Sequence, residues 1–437
     1  MKIKLLPNRY FSFLFSISCF TFLSSCQSNP KRSSGHAQSL NNSVKIGILH
    51  SLSGTMAISE VSLRDVVLMA VDEINAKGGV LGKKIEPIIK DPASDWDLFA
   101  DKAKELLSED QVAAVFGCWT SVSRKSVLPV FEQLNGLLFY PVQYEGEECS
   151  KNIIYTGATP NQQLLPAAEY LMSDAGGAYH KFYLLGTDYV FPHTANKILK
   201  AFLKSKGIPD ANIIEEYTPF HHQDYQNIVS KIKKFAASDK ACVLSTINGD
   251  SNVPFYKEFA NQGMSAATCP IMAFSVAEDE LRSMDTEFLV GHLAAWNYFE
   301  SVKSEENTQF VKAFKAFCVN KNLPGGKRRV TDDPITWAYT GVYLWAKAAE
   351  KAGSFEVDKV RNALFGLDFN SPDGLVKMDL RNQHLAKPVM IGEIKPDGQF
   401  DIIWKSDGLV SPEPWSPLTS HGKGCDWVDH EGTYSTF

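Results

Sequence analysis

The sequence predicts an α/β protein with two lobes, each built on a parallel sheet with helices packed on it. Three observations predict this fold class. Short β-branched runs alternate with helical periodicity from Val44 onward, the order that produces a parallel sheet covered by helices. The alternation restarts after Asn161, so a second sheet is expected. The 437-residue chain also exceeds the length that a single hydrophobic core usually supports.

The first lobe begins with a predicted strand at 44–49. A polar loop follows this strand and leads into a helix that ends at Gly78-Gly79. Ser121 is placed as the cap of a later helix that runs towards Phe131. The other predicted elements of this lobe are strands at 85–90, 113–116 and 137–140 and a helix at 99–107.

In the second lobe, predicted strands and helices alternate again. In the last third of the chain this alternation gives way to several helices and a hairpin. Strands are predicted at 182–186, 213–217, 242–246 and 270–274, and helices at 164–172, 194–204, 226–235 and 254–261. Further helices are predicted at 310–317, 337–349 and 357–364, before a hairpin of 389–394 and 400–404 around Asp397-Gly398.

A chain that builds two lobes and then returns must cross between them more than once. Such crossovers act as hinges. They are expected near 155–159 and 294–297, with a third around 369–375.

The first residues have the pattern of a targeting segment. Lys2, Lys4 and Arg9 precede an apolar run, 11–23, that is too short for an ordinary membrane span. The sequence Leu-Ser-Ser-Cys that ends at Cys26 resembles the lipobox of bacterial lipoproteins, which implies cleavage before a lipidated cysteine. A conventional secretory signal with a chance cysteine is the alternative.

These patterns give a division of the chain. We expect a lipoprotein signal peptide at 1–25, a flexible tether at 26–43, a first lobe from 44–157 and 292–370, a second lobe from 158–291 and 371–415, and a C-terminal tail at 416–437.

Charge and cysteine content exclude several function classes. Loss of the three basic signal residues changes the formal charge from −6 to −9. Such an acidic chain does not suit nucleic acid as a partner. Six of the eight cysteines remain after cleavage and lipidation, and none has zinc or thioredoxin spacing. Isolated buried cysteines are expected, with Cys118–Cys149 as a conceivable disulfide in an exported chain.

Aromatic and polar side chains follow the predicted strands, at the edge where open α/β sheets bind ligands. We predict a ligand site there, formed by Trp119, Ser121, Tyr140, Gln143 and Tyr144 of the first lobe with Tyr189, Phe191, Asn248, Asp250 and Glu278 of the second. Taken singly, each has a structural alternative. Trp119 and Tyr140 would be core aromatics, and Ser121 and Asp250 would be helix caps.

The chemistry of these loops suits a small, flat, neutral ligand. A free amino acid needs donors for its carboxylate and an acidic partner for its ammonium group. The Ser/Thr-rich loops of the first lobe could bind the carboxylate, and Asp188, Asp250 or Glu278 could bind the ammonium group, but no arginine falls in the strand-end loops. Urea or a short amide offers several N–H donors and one carbonyl, which carboxylate, tyrosine and serine oxygens and a backbone N–H can satisfy. Aromatic faces can pack on both sides of such a plane.

Catalysis has little support in the sequence, so no enzyme activity, metal or cofactor is expected. Cys118 as nucleophile with Glu278 as base would be needed for amide hydrolysis, yet the Ser-x-x-Lys and G-x-S-x-G motifs are missing. His221-His222 beside Asp224 is more typical of solvated surface than of a metal site.

Several long runs of the sequence are specific enough to compare with a family. They are IGILHSLSGTMA from Ile46, GGVLG from Gly78, GCWTS from Gly117, YPVQYEG from Tyr140, DYVFP from Asp188, NGDSN from Asn248 and AWNYF from Ala295. Together they resemble the urea-type ABC transporter substrate-binding proteins, over about Val44 to Trp415.

The resemblance implies a type I periplasmic binding protein fold whose two lobes close on a ligand and deliver it to a membrane permease. In the related short-chain amide sensors, positions matching Trp119, Ser121, Tyr140 and Tyr189 line the pocket. In the branched-chain amino acid receptors, positions matching Ser121, Tyr189 and Glu278 serve the charged groups of the ligand. Trp119 and Tyr140 would crowd a large side chain.

The expected function is therefore a urea-binding component of an ABC importer, extracytoplasmic and anchored to a bacterial membrane through Cys26. Its expected partners are urea or a similar small amide and the permease subunits. A receptor for short amides or for branched-chain or small amino acids is the alternative within the same fold. A regulatory sensor is a third possibility, which the lipobox argues against.

Overall fold

A computed structural model describes residues 42–420 and 424–425 of the chain. The predicted signal peptide, the lipidation site Cys26, nearly all of the tether and much of the C-terminal tail lie outside the described residues.

The first sheet has five parallel strands in the order β2-β1-β3-β4-β5. Its strands are β1 Ser43–Leu49, β2 Lys84–Lys90, β3 Val115–Gly117, β4 Leu138–Tyr140 and β5 Ile153–Tyr155. The connecting helices are α1 Ala57–Ala76, α2 Trp96–Lys104, which continues as a π-helical turn at Glu105–Glu109, and α3 Ser121–Gln133.

The second sheet contains the same strand order followed by an antiparallel hairpin. The parallel strands run β7-β6-β8-β9-β10, and β14 and β15 extend the sheet beyond β10. The elements, in chain order, are α4 Leu164–Met172, β6 Lys181–Thr187, α5 Val190–Ser205, β7 Ile213–Thr218, α6 Gln226–Ala236, β8 Ala241–Thr246, α7 Asn252–Asn261, β9 Ile271–Ala273, α8 Glu278–Leu281 and β10 Leu293–Trp296, with β14 Met390–Ile394 and β15 Phe400–Lys405 after the return.

Between β10 and β14 the chain returns to the first sheet. This part comprises α9 Glu305–Asn320, α10 Asp333–Ala352, α11 Val357–Leu364 and a small antiparallel sheet of β11 Asp368–Ser371, β12 Gly374–Met378 and β13 Leu385–Ala386. Its apolar side chains, including Phe314, Trp345 and Met378, belong to the same buried core as those of β1, β3 and β4. Two further cores cover the two faces of the second sheet.

The two-lobed α/β architecture predicted from the sequence is confirmed. The first lobe consists of the first sheet with α1–α3, α9–α11 and β11–β13, and the second lobe consists of the second sheet with α4–α8. Within the described ranges, no helix combines the length and apolar character needed to cross a membrane.

Two local expectations differ from the structure. Thr120, rather than Ser121, caps α3, because its hydroxyl oxygen accepts the Ser123 N–H at 3.1 Å. The last crossing follows β13, at 387–389, rather than lying around 369–375, because Val376, Met378 and Leu385 are buried in the first core.

Candidate functional site

The ends of the parallel strands of the two lobes face each other, and hydrogen bonds join their loops. Gln143 follows β4, and its Nε2 donates to the Phe274 carbonyl at 2.7 Å and to the Ser275 hydroxyl at 3.0 Å after β9. Thr55 follows β1, and its hydroxyl donates to Asp250 Oδ1 after β8 at 2.9 Å. The structure is therefore a closed arrangement in which the cleft between the strand ends is covered.

The predicted first-lobe residues lie in the loop after β3, at the end of β4 and in the loop after β4. Trp119 and Tyr140 are both buried, and the Tyr140 hydroxyl donates to the Trp119 carbonyl. Ser121, the first residue of α3, is buried and donates its hydroxyl to Glu145 Oε2. The predicted neighbours Trp119, Ser121 and Tyr140 thus do lie together.

A fully buried arginine, which the sequence analysis did not find, lies next to these residues. Arg124 is one helical turn after Ser121, and its Nη1 donates to the Ser121 hydroxyl at 3.0 Å. Its Nη2 donates to Glu145 Oε1 at 3.0 Å, and its Nε donates to Glu148 Oε1 at 2.7 Å. Its guanidinium also lies over the rings of Tyr140 and Tyr144, at 4.9 and 4.7 Å from their centroids.

The charges of this cluster are balanced within the protein. Lys125 Nζ contacts Glu148 at 2.5 Å, so two cations, Arg124 and Lys125, face two carboxylates, Glu145 and Glu148. Burial alone would raise the pKa of the Glu148 carboxyl, but Arg124 and Lys125 outweigh it and lower that pKa to about 2. Glu148 is therefore ionised near neutral pH, and the cluster contains two basic and two acidic side chains.

Arg124 was not predicted from the sequence, because an arginine was sought only in the strand-end loops. The arginine lies inside a helix rather than in a strand-end loop, and buried arginines are rare. Glu145 lies within the YPVQYEG run, which was the available sequence signal, and the structure brings it to Ser121.

Two of the predicted second-lobe residues, Tyr189 and Asn248, lie near each other and near Tyr140 of the first lobe. Tyr189 precedes α5 and is partly buried, and its ring centroid lies 5.0 Å from that of Phe220. Burial raises the pKa of the Tyr189 hydroxyl; the nearby Tyr140 and Glu145 of the first lobe raise it further, and a hydrogen bond with Asn248 acts in the opposite direction. Asn248 is itself buried, with its Nδ2 donating to the Thr246 carbonyl at 3.1 Å.

Two of the predicted aromatic residues serve packing. Tyr144 is stacked with Tyr155 and His384 at centroid distances of 4.8 and 5.6 Å, and its hydroxyl lies 2.6 Å from His384 Nε2. Phe191 is buried in a core of the second lobe together with Leu184 and Phe274.

The two predicted acidic residues have partners within the protein. Asp250 is bound to Thr55 and, at 2.9 Å, to His221 Nδ1, so it joins the lobes at the rim of the cleft. Glu278 is buried and accepts the Glu300 N–H at 2.7 Å. Burial raises the pKa of the Glu278 carboxyl, and its acidic neighbours Glu300 and Asp333 raise it further.

Cysteine positions rule out the conceivable Cys118–Cys149 pair. Cys149 forms a disulfide with Cys425, whereas Cys118 is free and fully buried. Burial raises the pKa of the Cys118 thiol, and Glu60 raises it further, so this sulfur lacks the thiolate character of a nucleophile. A search of residues 42–420 and 424–425 finds no group of three or more His, Cys, Asp or Glu side chains that could hold a metal ion.

Comparison with known sequences identifies relatives over most of the chain. It matches the family described as periplasmic binding protein domain over residues 44–421. It is 23% identical to the Leu/Ile/Val-binding protein homolog 7 of Brucella melitensis over 385 residues, which cover 84% of this chain and 93% of that protein. A match at 32% identity to the limonene hydroxylase of Geobacillus stearothermophilus spans 138 residues, 32% of this chain and about a quarter (23%) of that protein.

Solved structures share the fold. The amino acid ABC transporter substrate-binding protein of Pseudomonas fluorescens Pf-5 has a TM-score of 0.73 at 16% identity, covering 85% of this chain and 97% of that one. The branched-chain amino acid transporter substrate-binding protein LivJ of Streptococcus pneumoniae, in complex with isoleucine, has a TM-score of 0.68 at 19% identity, covering 85% and 100%. Since the family match spans most of the chain and these folds agree with it, the chain belongs to the periplasmic binding protein family.

Proposed function

We propose that this chain is the extracytoplasmic substrate-binding component of an ABC importer and that its ligand is a small neutral amide, with urea as the best candidate. Family membership and the closed two-lobed fold support the first part. The second part depends on one observation: all three nitrogens of the buried Arg124 guanidinium are already bonded to side chains of the protein.

A carboxylate ligand would be bound most strongly by a cation, and Arg124 is the buried cation of this cluster. To reach Arg124, such a ligand would have to displace Glu145 or Ser121 and would leave a carboxylate buried without its partner. Removing one member of a buried ion pair costs about 3–5 kcal/mol. The cluster therefore favours a ligand that brings no net charge.

The side chains that remain at the cleft include hydrogen-bond acceptors. Glu145 is a buried carboxylate, and each of its oxygens retains capacity for a further N–H donor. Gln143 Oε1 is buried and has no hydrogen-bond partner among the residues that the structure describes. A buried acceptor without a donor is costly, and an amide N–H of a ligand would satisfy it.

Ligand binding in this proposal shifts the protein from an open to a closed arrangement. A ligand can stabilise the closed form only through contacts that the open form lacks. Contacts with Glu145 of the first lobe and with Tyr189 or Asn248 of the second would meet this condition. The permease then receives ligand from the closed form. Export and attachment to the membrane through a lipid on Cys26 complete the proposal.

Calorimetric titration of the full chain with urea, acetamide and isoleucine tests this function. We expect urea or acetamide to bind with a dissociation constant at least about tenfold lower than that of isoleucine, a difference of about 1.4 kcal/mol. Tight binding of isoleucine without a signal from either amide would contradict the proposal.

An amino acid receptor is the second candidate, because the Brucella relatives are named Leu/Ile/Val-binding protein homologs and the Streptococcus structure contains isoleucine. In that case the ammonium group would need an acidic partner at the cleft. The titration above separates the two candidates directly.

A further inference from the structure

The C-terminal segment is bound to the loop that carries the charged residues of the site. We define the C-terminal strap as residues 406–420 together with Gly424 and Cys425, and the site loop as residues 141–149 between β4 and β5. The strap leaves β15 of the second lobe, and Cys425 near its end forms a disulfide with Cys149 at the end of the site loop. We propose that the strap is a positioning element that holds the site loop in its ligand-binding conformation.

The site loop has little regular structure of its own. It contains neither helix nor strand, and two successive residues, Gly146 and Glu147, have positive φ angles of 68° and 55°. Such a backbone is costly for a residue other than glycine, so the surrounding contacts must stabilise it. Residues 141–146 and 148 of the loop are buried, so these stabilising contacts come from the segments packed against it.

The strap supplies the contacts that the site loop lacks. The Glu147 N–H donates to the Pro414 carbonyl at 2.7 Å, and a Cβ atom added to Gly146 would lie 2.3 Å from the same oxygen. The Thr419 hydroxyl donates to Glu147 Oε1 at 2.7 Å, and the Trp415 indole N–H donates to the Cys149 sulfur at 3.0 Å. The close approach at position 146 shows that the loop and the strap fit directly against each other.

The strap is in turn fixed at the crossing between the lobes. Val410 pairs with Lys387 just after β13, and Gln162 Nε2 donates to the Val410 carbonyl at 2.8 Å. Asn161 Nδ2 donates to the Ser411 carbonyl at 2.8 Å, and its Oδ1 accepts the Glu413 N–H at 2.9 Å. The strap therefore connects a fixed point at the hinge with the site loop.

The face of the loop that does not contact the strap is the one that serves the site. Gln143 joins the loop to the second lobe, Glu145 binds Ser121 and Arg124, and Glu148 binds Arg124, Lys125 and Tyr155. Movement of the loop would displace Gln143 and the two carboxylates together. This inference depends on the proposed site, but not on the identity of its ligand.

Breaking the Cys149–Cys425 disulfide tests whether the C-terminal strap positions the site loop. A dithiol reductant transfers two electrons and two protons to the Cys149–Cys425 bond, which gives two thiols, while the reductant becomes a cyclic disulfide. We compare the full chain before and after reduction with the Cys149→Ser/Cys425→Ser double variant, which is the control for reductant acting elsewhere. Mass spectrometry confirms the oxidation state in each case.

Hydrogen exchange measures the loop without any ligand. We expect amide exchange in peptides that cover 143–149 to accelerate by about tenfold on reduction, with exchange in β6 and β8 unchanged. Unchanged exchange in these peptides after complete reduction would overturn the proposal. If the double variant does not fold, the reduced wild-type chain still provides the comparison.

Ligand affinity gives the second readout. We expect the reduced chain and the double variant to bind urea about three- to tenfold more weakly than the oxidised chain, through faster dissociation. Accelerated exchange with unchanged affinity would also overturn the positioning role. If the oxidised chain binds isoleucine and no amide, the function proposed above fails, and isoleucine affinity then tests the strap in the same way.

Discussion

At the scale of single residues, the buried Arg124 defines the chemistry of the site. Its three nitrogens are shared among Ser121, Glu145 and Glu148, so its charge is compensated by residues of the protein. Arginine suits this role because its planar guanidinium group can donate hydrogen bonds to several oxygen atoms at once. The same residue would serve a carboxylate ligand in a site where it was free.

Glu145→Gln tests whether this compensation sets ligand choice. The substitution keeps the size of the side chain but releases Arg124 from one carboxylate. We expect affinity for urea to fall by about tenfold and affinity for isoleucine, relative to urea, to rise. Calorimetry of both ligands measures the ratio.

The matched control is Glu109→Gln, which changes an exposed carboxylate of the first lobe in the same way. An unchanged ratio of the two affinities in the Glu145→Gln variant would contradict the role of this carboxylate.

The Arg124–Glu148 pair should make stability fall in acid. The pKa of Glu148 is lowered to about 2 in the folded chain from an ordinary value of 4.5, so the pair stabilises the fold fully above pH 4.5. This contribution is lost as the pH falls from about 4.5 to about 2, and it amounts to about 3 kcal/mol.

Denaturant unfolding at pH 7 and pH 3 measures this loss. We expect Glu148→Gln to destabilise the chain at pH 7, by about 3–5 kcal/mol for a broken buried pair, and to have a smaller effect at pH 3. An equal effect at both pH values would show that the charge of Glu148 is not what stabilises the fold.

At the scale of elements, sequence patterns predicted the long helices and strands, and the apolar runs of the short strands β3, β4 and β9 were also recognised. The periodicity of α1 and the β-branched run of β1 extend over enough residues to be recognised. By contrast, β5, β10 and α8 contain three or four residues each, too few for a period to be visible. β10 lies where a hinge was expected, in the middle of the second sheet.

The same limit applies to the site. Reasoning from strand ends predicted that Trp119, Ser121 and Tyr140 lie close together, because Trp119 and Ser121 follow β3 and Tyr140 ends the neighbouring parallel strand β4. Reasoning from strand ends did not find Arg124, because this residue belongs to α3. Its partners Glu145 and Glu148 come from a loop more than twenty residues later in the chain. The Cys149–Cys425 disulfide links residues 276 positions apart, and no spacing rule predicts such a pair.

At the scale of the whole molecule, hydrogen bonds between the lobes hold the closed arrangement. Gln143 joins the site loop to the loop after β9, and Ser59 of α1 donates its hydroxyl to Glu280 of α8. Each bond is lost when the lobes separate, so each contributes to the balance between open and closed forms.

Gln143→Ala should therefore shift this balance towards the open form. We expect faster ligand dissociation with little change in the association rate, since most effects of this kind appear in dissociation. Stopped-flow fluorescence gives both rates, and small-angle scattering gives the degree of closure. Gln262→Ala, in the second lobe away from the cleft, is the control; dissociation rates equal to the wild type in both variants would contradict this role.

The central claim is that the closed cleft selects a small neutral amide because Arg124 is already compensated. A crystal structure of the full chain, grown with equal excess of urea and isoleucine, tests it most directly. The account predicts urea between Trp119 and Tyr140 of one lobe and Tyr189 of the other, with its N–H groups on Glu145. Isoleucine in the cleft, with its carboxylate on Arg124 and Glu145 displaced, would contradict it.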